Sequence, residues 1–406
     1  MTTSEESYTP PSLRPNSFSR RTGWSNRPNE LSRALARRGG APPLDLTATN
    51  PTEAGLAYDG DRIRAALSSG AALRYRPEPF GLPAARAAVS ASLAAQGRAV
   101  PPERIALTAS TSEAYGFLFK LMGDPGDAAA IPAPSYPLFD YLAELEGLSL
   151  ARYRLVYEGD WRLDRDSFDE ALSQPGVRAA IAIQPNNPTG SVLGEDELDF
   201  IAGRCRERGV ALVSDEVFWE YPLESTARWK SAASVADCLS FTLGGLSKLA
   251  GLPQLKLAWI AVAGPDGLVD EALGRLELVA DSYLSVASPV QEALPEILAL
   301  APAFQARLRE RLSLNLAAAG RAFAPPSPVS LLRPQGGWSL VVRVPRLAGR
   351  ESGEAWALAL LERDDLLVQP GYFYDFEGEA YLVLSLLTPP ELFAEGVRRL
   401  AARAAD

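Results

Sequence analysis

The sequence predicts an α/β protein with a large, mostly parallel central sheet flanked by helices, and a smaller α+β domain. Two observations predict this fold class. From about residue 80 to 265, short apolar or β-branched runs alternate with helical patterns, an order typical of a parallel sheet covered by helices. After Pro295 the pattern changes, and two predicted helices alternate with two well-separated strand candidates.

These patterns divide the chain into three parts. We expect an N-terminal arm over residues 1–45, a large domain over 46–295 and a small domain over 296–406. The segment around 30–55 is expected to complete the small domain. The small domain's helices are predicted near 302–322 and 353–363, and its strands over 338–344 and 380–387.

Local signals place the elements of the large domain. A helix over 82–96 has Pro83 in its first turn and Gly97 at its end, and a second helix covers 112–122. A third helix opens with three acids from Glu195 and ends at Gly209. The strand candidates are the runs 105–110, 128–133, 178–184, 210–216, 238–244 and 257–263.

Composition excludes several classes of function. A formal charge of −10 argues against general nucleic-acid binding, and no run of 18 apolar residues predicts a membrane span. The first residues lack the apolar core of a secretory signal, which predicts a cytoplasmic protein. Cys205 and Cys238 form no CxxC pair and are expected to be buried thiols in a reducing compartment.

The chain contains no histidine. This excludes Ser-His-Asp and Cys-His triads, a histidine general base and any zinc site with histidine ligands. Acid–base chemistry must therefore use Lys, Asp, Glu, Tyr or Cys. Proton transfer by a lysine at a cofactor-bound carbon fits this restriction.

The arm is basic: between Arg14 and Arg38 it carries seven arginines and one acid, Glu30. One interpretation is a solvated tail. The other is an arm that docks on the body or on a partner subunit, with the apolar anchors Phe18, Trp24 and Leu31.

Polar residues follow the predicted strands, where ligands of parallel sheets collect. Ser110, Thr111 and Ser112 lie between a strand and a helix, and would form a phosphate cradle of hydroxyl and N–H groups. The alternative is an ordinary helix cap. After the strand 178–184, two prolines and Gly190 constrain a loop whose asparagines can donate to a ring oxygen.

The next two strands end in opposite charges. Asp215 needs a cationic partner at the mouth of a buried strand, either a protonated pyridine nitrogen or, alternatively, a structural arginine. Lys248 follows a buried strand among glycines and apolar residues, which predicts a depressed pKa and a nucleophilic amine. A snorkelling surface lysine is the alternative. The segment is not a P-loop, because Leu249 stands where a P-loop has the Ser or Thr that holds magnesium.

A phosphate cradle, a donor loop, a carboxylate and an amine on successive strand ends match the groups of pyridoxal 5′-phosphate (PLP). From about Asn50 to the C-terminus, the chain resembles the class I/II aminotransferases of PLP fold type I. The matching motifs are Tyr75, Gly81-Leu82-Pro83 with Arg86, Pro134-Ser135-Tyr136-Pro137, Asn186-Asn187-Pro188-Thr189-Gly190, Asp215-Glu216-Val217 and Ser247-Lys248.

The resemblance implies a role for each matched residue. Lys248 would form the Schiff base with PLP and carry the proton between Cα and C4′. Asp215 would pair with the pyridinium nitrogen, Asn187 would donate to O3′, and Tyr136 would stack on the ring. Ser110, Thr111 and Ser112 would hold the phosphate, with Tyr75 reaching it from the partner subunit of a homodimer with shared active sites.

Three positions depart from the family pattern. Lys256 stands where the family has a phosphate-binding arginine, so the charge is kept but the bidentate fork is lost. Phe218 replaces a tyrosine that donates to O3′. Val383 aligns with the arginine that clamps the substrate carboxylate, and no basic residue occurs from Asp364 up to Arg398.

An amino acid substrate would then need another carboxylate partner, or the substrate is not a standard α-amino acid. We hypothesise that an arginine of the arm, or Arg343, takes the role.

The predicted function is transamination between an amine or amino acid and an oxo acid, by ping-pong steps. The alternatives are a PLP lyase or decarboxylase of the same fold and a non-catalytic PLP-binding sensor, although the arm is too short for a helix-turn-helix. A nicotinamide enzyme is disfavoured because no GxGxxG follows the first strand.

Overall fold

The computed structural model describes residues 18–25, 27–226, 229–346, 348–378 and 380–406. The helices are, in chain order, α1 (Glu30–Arg37), α2 (Gly60–Leu67), α3 (Pro83–Ala94), α4 (Thr111–Met122), α5 (Phe139–Glu146), α6 (Arg165–Leu172), α7 (Glu195–Arg208), α8 (Leu246–Leu249), α9 (Asp266–Tyr283), α10 (Ser288–Ala322), α11 (Gly353–Arg363) and α12 (Pro390–Ala405). The strands are β1 (Leu44–Asp45), β2 (Ile105–Thr108), β3 (Ala128–Ala133), β4 (Ser149–Tyr157), β5 (Trp161–Leu163), β6 (Val177–Ile183), β7 (Ala211–Asp215), β8 (Ser240–Gly245), β9 (Ala258–Ala263), β10 (Ser330–Leu332), β11 (Ser339–Arg343), β12 (Leu366–Leu367), β13 (Gln369–Pro370) and β14 (Tyr381–Ser385).

The large sheet has the strand order β2-β9-β8-β7-β6-β3-β4-β5 within the described residues. Its central strands β4, β3, β6, β7 and β8 are parallel, whereas β9 runs antiparallel to both of its neighbours. The carboxyl ends of β2, β3, β6, β7 and β8 therefore meet at one edge of the sheet. This architecture confirms the predicted fold class.

Helix α7 illustrates why the flanking helices form where the sequence predicts them. Its first turn carries Glu195, Asp196 and Glu197, and the Glu197 carboxylate accepts from the Gly194 N–H at 3.0 Å. The acids face the positive end of the helix dipole. Gly209 ends the helix in the left-handed conformation, with φ of 64°.

The smaller α+β part is built from both ends of the chain. Its antiparallel sheet has the order β10-β11-β14-β13, and β1 pairs with β12 in parallel. Leu31 and Leu46 from the N-terminal segment share one hydrophobic core with Trp356, Leu384 and Phe393. The segment around 30–55 thus packs with the C-terminal part, as the sequence predicts.

Helix α10 differs most from expectation. It begins at Ser288, not near residue 302, and runs through Pro295, Pro302 and the predicted domain boundary at 295/296. An interior proline costs about 3 kcal/mol, which is why the pattern predicted a break. Buried side chains on both sides, among them Leu294 and Phe304, contribute about 1.5–3 kcal/mol each and outweigh that cost.

The sequence also missed the adjacent strands β4 and β5. In β4, buried residues alternate with the solvent-facing Arg152 and Arg154, so the run lacks the apolar character of the inner strands.

The described part of the arm packs against the body of the chain, which agrees in part with the docking interpretation. Trp24 packs edge-to-face on Tyr141, with ring centroids 4.7 Å apart, and its indole N–H donates to Glu144. Leu31 is buried, whereas Phe18 is 74% exposed. Arg14 lies outside the described residues. No helix in the described ranges is both long and apolar enough to span a membrane.

Candidate active site

The carboxyl edge of the large sheet borders a cavity of about 350 Å³, closed on the other side by the smaller sheet. Six of the residues predicted from the sequence line it: Thr111, Ser112, Tyr136, Asn187, Asp215 and Lys248. Ser110, Lys256 and Tyr75 are not among its lining residues. The fold therefore brings most of the predicted set together at one place.

The predicted phosphate cradle lies at the N-terminus of α4. The Ser110 hydroxyl accepts from the Glu113 N–H at 3.1 Å and so caps the helix, which is the alternative interpretation considered from the sequence. The next two hydroxyls, of Thr111 and Ser112, face the cavity. A helix N-terminus with two adjacent hydroxyl groups is a favourable environment for a dianion.

The loop after β6 is held rigidly against the smaller part. Asn186 donates to the Pro134 carbonyl at 3.0 Å and to Thr189 Oγ1 at 2.9 Å. Gly190 has φ of 70°, and a Cβ there would lie 2.5 Å from the Gly336 carbonyl oxygen. Its own carbonyl accepts from the N–H groups of Gln335 and Gly336, each at 3.0 Å.

This loop presents the Asn187 side chain to the cavity. The Asn187 Oδ1 accepts from Ser339 Oγ at 3.1 Å. That bond fixes the amide orientation, so the Nδ2 donors remain available to an acceptor inside the cavity.

Asp215 is a buried carboxylate with few partners. Its Oδ1 accepts from the Val217 N–H and its Oδ2 from the Tyr115 hydroxyl, both at 3.1 Å. Burial raises the pKa of Asp215 to about 6, although these bonds and the ammonium of Lys248 oppose that shift. A cation placed against this carboxylate would stabilise its ionised form.

Lys248 lies in the short helix α8, directly after β8. A Cβ at Gly244 would lie 2.7 Å from the Trp259 ring, so the strand needs glycine to approach β9 closely. The Lys248 ammonium lies 4.9 Å from the centroid of Trp338 and 5.5 Å from that of Phe218. Burial lowers the pKa of Lys248 to about 8, partly opposed by Asp215, which favours a nucleophilic neutral amine.

The remaining predicted residues lie farther out. Tyr136 is 42% exposed at the cavity, and burial of its ring raises the pKa of its hydroxyl. Lys256 is exposed and has φ of 51°. Tyr75 is 73% exposed and makes no contact with the cavity of its own chain.

The wall opposite Lys248 comes from the smaller sheet. Val383 lies in the middle of β14, opposite Val341 of β11, and is 2% exposed. Arg343 lies at the other end of β11, about 13 Å along the strand from Ser339 at 3.3 Å per residue, and pairs across the sheet with Tyr381. Contrary to the hypothesis, Arg343 lies outside the cavity.

The described arginines of the arm do not line the cavity of this chain either. Arg33 and Arg37 pair with Glu30, and Arg38 pairs with Asp365. Within the described part of the arm, no arginine lines the cavity.

The sequence missed several residues of the site. Tyr115 donates to Asp215 from one turn beyond the cradle, and its i+4 spacing from Thr111 was the available signal. Tyr221 donates to the Lys248 carbonyl at 2.6 Å and fixes the lysine backbone. Trp338 comes from a distant part of the chain, so only the fold shows that it faces Lys248.

The fold and the site define a known class of protein. The sequence model of the family "Aminotransferase class I and II" matches residues 45–400, and the chain belongs to this family. The family uses PLP as its cofactor.

Individual relatives are more distant. The S-alkyl-thiohydroximate lyase SUR1 of Arabidopsis thaliana is 31% identical over 245 residues, 59% of this chain and 52% of that protein. The probable aminotransferase TAT3 of the same plant is 31% identical over 60% of this chain and 55% of its own length. The matched region thus spans about half the length of these curated relatives.

Solved structures share the fold. An alanine aminotransferase from Pyrococcus furiosus superimposes with a TM-score of 0.82 at 22% identity, covering 92% of this chain and 95% of that one. A tyrosine aminotransferase from Leishmania infantum has a TM-score of 0.81 at 20% identity, over 94% and 98% of the two chains.

The groups around the cavity fit PLP. The helix N-terminus with Thr111 and Ser112 suits a phosphate, and the Asn187 amide suits a ring oxygen. Asp215 is a buried carboxylate with an elevated pKa and suits a protonated ring nitrogen. Lys248 supplies the amine that an aldehyde requires.

Proposed function

We propose that the protein is a PLP-dependent aminotransferase that moves an amino group from a donor to an oxo acceptor by ping-pong steps. The observation that carries this proposal is the pair formed by Asp215 and Lys248. Asp215 is buried and Lys248 is half-buried at one cavity, and desolvation moves their pKa values toward neutrality from opposite sides. Such a pair is typical of sites that do acid–base chemistry.

Each of these residues is assigned one task. Lys248 Nζ would hold the cofactor, and the same amine would move a proton to and from the substrate carbon. Asp215, oriented by Tyr115 and the Val217 N–H, keeps the ring nitrogen protonated. When bound, PLP withdraws electrons from the substrate carbon.

The other residues position the cofactor. Thr111 and Ser112 would bind the phosphate, and Ser110 would hold the helix end. Lys256, which is exposed and does not line the cavity, would contribute only its positive charge. Asn187 donates to the ring oxygen while Ser339 fixes its amide. Tyr136 covers one face of the ring. Phe218 has no hydroxyl, so the ring oxygen has one donor fewer than in the family pattern.

A lyase is the second candidate, because one of the similar proteins is named as a lyase. The two reactions differ in which bond of the substrate breaks. Transamination returns a carbonyl compound and leaves the amine form of the cofactor. A lyase releases a fragment and returns the cofactor unchanged.

The test is the visible absorption spectrum of the purified protein, alone and titrated with amines and amino acids. A yellow band that a donor bleaches, with a stoichiometric carbonyl product, supports an aminotransferase. Lys248→Ala should lack the covalent band, and Lys120→Ala, a surface lysine paired with Glu146, is the matched control. A protein that takes up no PLP would refute the proposal, and a band that no donor bleaches would favour the lyase or the sensor.

We also propose a homodimer with shared active sites. Leu73 and Tyr75 are 91% and 73% exposed, an apolar surface that a second subunit would cover. Tyr75 would then reach the phosphate of the partner's site. Mixing subunits carrying Tyr75→Ala with subunits carrying Lys248→Ala should restore activity through one intact site per mixed dimer. If neither mixing nor sizing shows a dimer, the sites are not shared.

We propose that the protein works in the cytoplasm. Both cysteines, Cys205 and Cys238, are unpaired and buried. Burial raises the pKa of each thiol, which keeps both unreactive. Fractionation with a compartment marker would test this location.

A further inference from the structure

The charges around the cavity are few. Asp215 and Lys248 are the charged side chains among its described lining residues, and the proposed function assigns both to the cofactor. A carboxylate on the substrate would therefore enter a cavity in which the one cation among this chain's described lining residues, Lys248, is already used. Burying a carboxylate without a counter-charge is strongly unfavourable.

The wall that faces Lys248 is apolar at its centre. Val383 packs with Val341, Leu332, Tyr374 and Trp161 in one hydrophobic cluster. A substrate group held against this wall binds more favourably when it is uncharged.

The hydroxyl groups around Val383 do not stabilise a substrate carboxylate, because their hydrogens already donate to protein acceptors. Ser385 donates to the Ala48 carbonyl, and Tyr374 donates to the Gln369 side-chain oxygen.

Two more hydroxyls are engaged in the same way. Ser339 donates to Asn187 Oδ1 at 3.1 Å, and Thr47 donates to Asp45 Oδ1 at 2.6 Å. A hydroxyl whose hydrogen is engaged offers only lone pairs to a ligand. The cavity end at Val383 therefore presents mainly acceptors, which repel a carboxylate and suit N–H or O–H groups.

Besides the Trp338 indole N–H, which is buried and has no hydrogen-bond partner among the described residues, two neutral donors remain at this end of the described lining, the Thr49 hydroxyl and the Gln369 amide. A hydroxyl and an amide can bind a carbonyl or hydroxyl oxygen. Neither supplies the positive charge that would balance an ionised carboxylate.

We propose that the amino donor of this enzyme carries no ionised carboxylate beside its amino group: it is a primary amine, or an amino acid whose carboxyl is masked as an amide. The inference rests on the proposed function and narrows its substrate class. Since donor and acceptor use one cavity in turn, the acceptor is an aldehyde or ketone by the same argument.

The exchange is balanced without a further reagent. The donor's C–N bond is replaced by a C=O bond whose oxygen comes from water. The nitrogen, with the hydrogen and electron pair lost from the donor carbon, ends on the acceptor carbon. The acceptor's oxygen leaves as water.

The test compares matched donors on the PLP-loaded wild-type protein: 2-phenylethylamine, L-phenylalaninamide and L-phenylalanine. The binding constant is read from the change in the cofactor spectrum, and the rate from the bleaching of the yellow band. We expect the two donors without a carboxylate to bind and react at least about tenfold better than the amino acid. The acceptor pair phenylacetaldehyde and phenylpyruvate should show the same order.

A variant pair tests the wall itself. Val383→Arg should shift the preference toward L-phenylalanine by about tenfold or more, and Val383→Met, of similar length but uncharged, should not. A folded Val383→Arg protein that binds PLP and shows no shift would overturn the assignment of this wall.

The wild-type comparison needs no variant to fold. A preference for L-phenylalanine would overturn the inference and leave the proposed function standing. It would show that a cation from elsewhere, such as a partner's arm, enters the site. If no donor of either kind bleaches the band, the proposed function itself fails.

Discussion

Asp215 and Glu216 are consecutive buried acids with opposite surroundings. Glu216 pairs with the buried Arg98 at 3.1 Å and accepts from the Ser231 hydroxyl at 2.7 Å and the Ala232 N–H at 3.0 Å. Asp215, one residue earlier, accepts from two neutral donors at 3.1 Å, the hydrogen bonds it makes within the described residues.

One strand end therefore serves two purposes. A buried carboxylate with a full set of partners holds the structure together. A buried carboxylate with too few partners keeps an elevated pKa, and so retains free energy that a cationic ligand can recover. The same chemical group is structural at Glu216 and is poised for a ligand at Asp215.

The largest expected effect is on stability at Glu216. Glu216→Gln breaks the buried pair with Arg98, and we expect the free energy of unfolding to fall by about 3 kcal/mol. This is the low end for losing a buried ion pair, because Glu220 still contacts Arg98 in the variant. Urea unfolding measures it. Glu195→Gln, an exposed acid paired with Lys230, is the matched control and should change stability by less than about 1 kcal/mol.

The neighbouring change should act on turnover instead. Asp215→Asn keeps the shape but removes the charge, so we expect kcat to fall by about 10²-fold, the usual effect of losing one electrostatic group at a reacting centre. The apoprotein should be no less stable, since a poorly paired carboxylate is removed. If Asp215→Asn lowered the free energy of unfolding as much as Glu216→Gln does, Asp215 would be a structural carboxylate like Glu216.

The pH dependence of cofactor uptake should show the ionisation of Asp215 and that of Lys248 as separate steps. The Asp215 carboxylate is ionised above its pKa of about 6, and the Lys248 amine is neutral above its pKa of about 8. Covalent uptake of PLP by the apoprotein should therefore accelerate as the pH rises from about 6 to about 8, and then level off. In Asp215→Asn the step near pH 6 should vanish, while the step of Lys248 remains and moves below pH 8, because the carboxylate that raises the pKa of Lys248 is gone. Stopped-flow absorbance measures both.

The smallest expected effect concerns the phosphate. Lys256→Arg restores a bidentate donor, and we expect PLP to bind about fivefold more tightly, about 1 kcal/mol. Dialysis equilibrium with free PLP gives the change. Arg275→Lys on the exposed face of α9 should leave the affinity unaltered, and an equal change in both variants would remove Lys256 from the site.

Local signals in the sequence predicted the residues that follow successive strands. Asn187, Asp215 and Lys248 were found because parallel strands bring their carboxyl ends together whatever the details of packing. The α+β character of the smaller part also followed from periodicity and was confirmed.

Long-range packing could not be predicted in the same way. Trp338 reaches Lys248 across the boundary between two sheets, and Tyr115 reaches Asp215 across the sheet face. The start of α10 was misplaced because two local proline penalties are outweighed by burial that only the assembled core provides. Arg343 was wrongly expected to bind the substrate carboxylate, because the strand register decides which end of β11 this arginine occupies.

Helix α10 also determines how the molecule can come apart. Leu294 and Ile297 belong to one hydrophobic core, and Phe304 and Leu312 belong to the core that includes the N-terminal segment. One continuous helix thus links the cooperative units on either side. A fragment beginning at residue 296 would lack both the first turns of this helix and the segment that contributes Leu46. Severing the chain there would expose two cores at once, so each half depends on the other to stay folded.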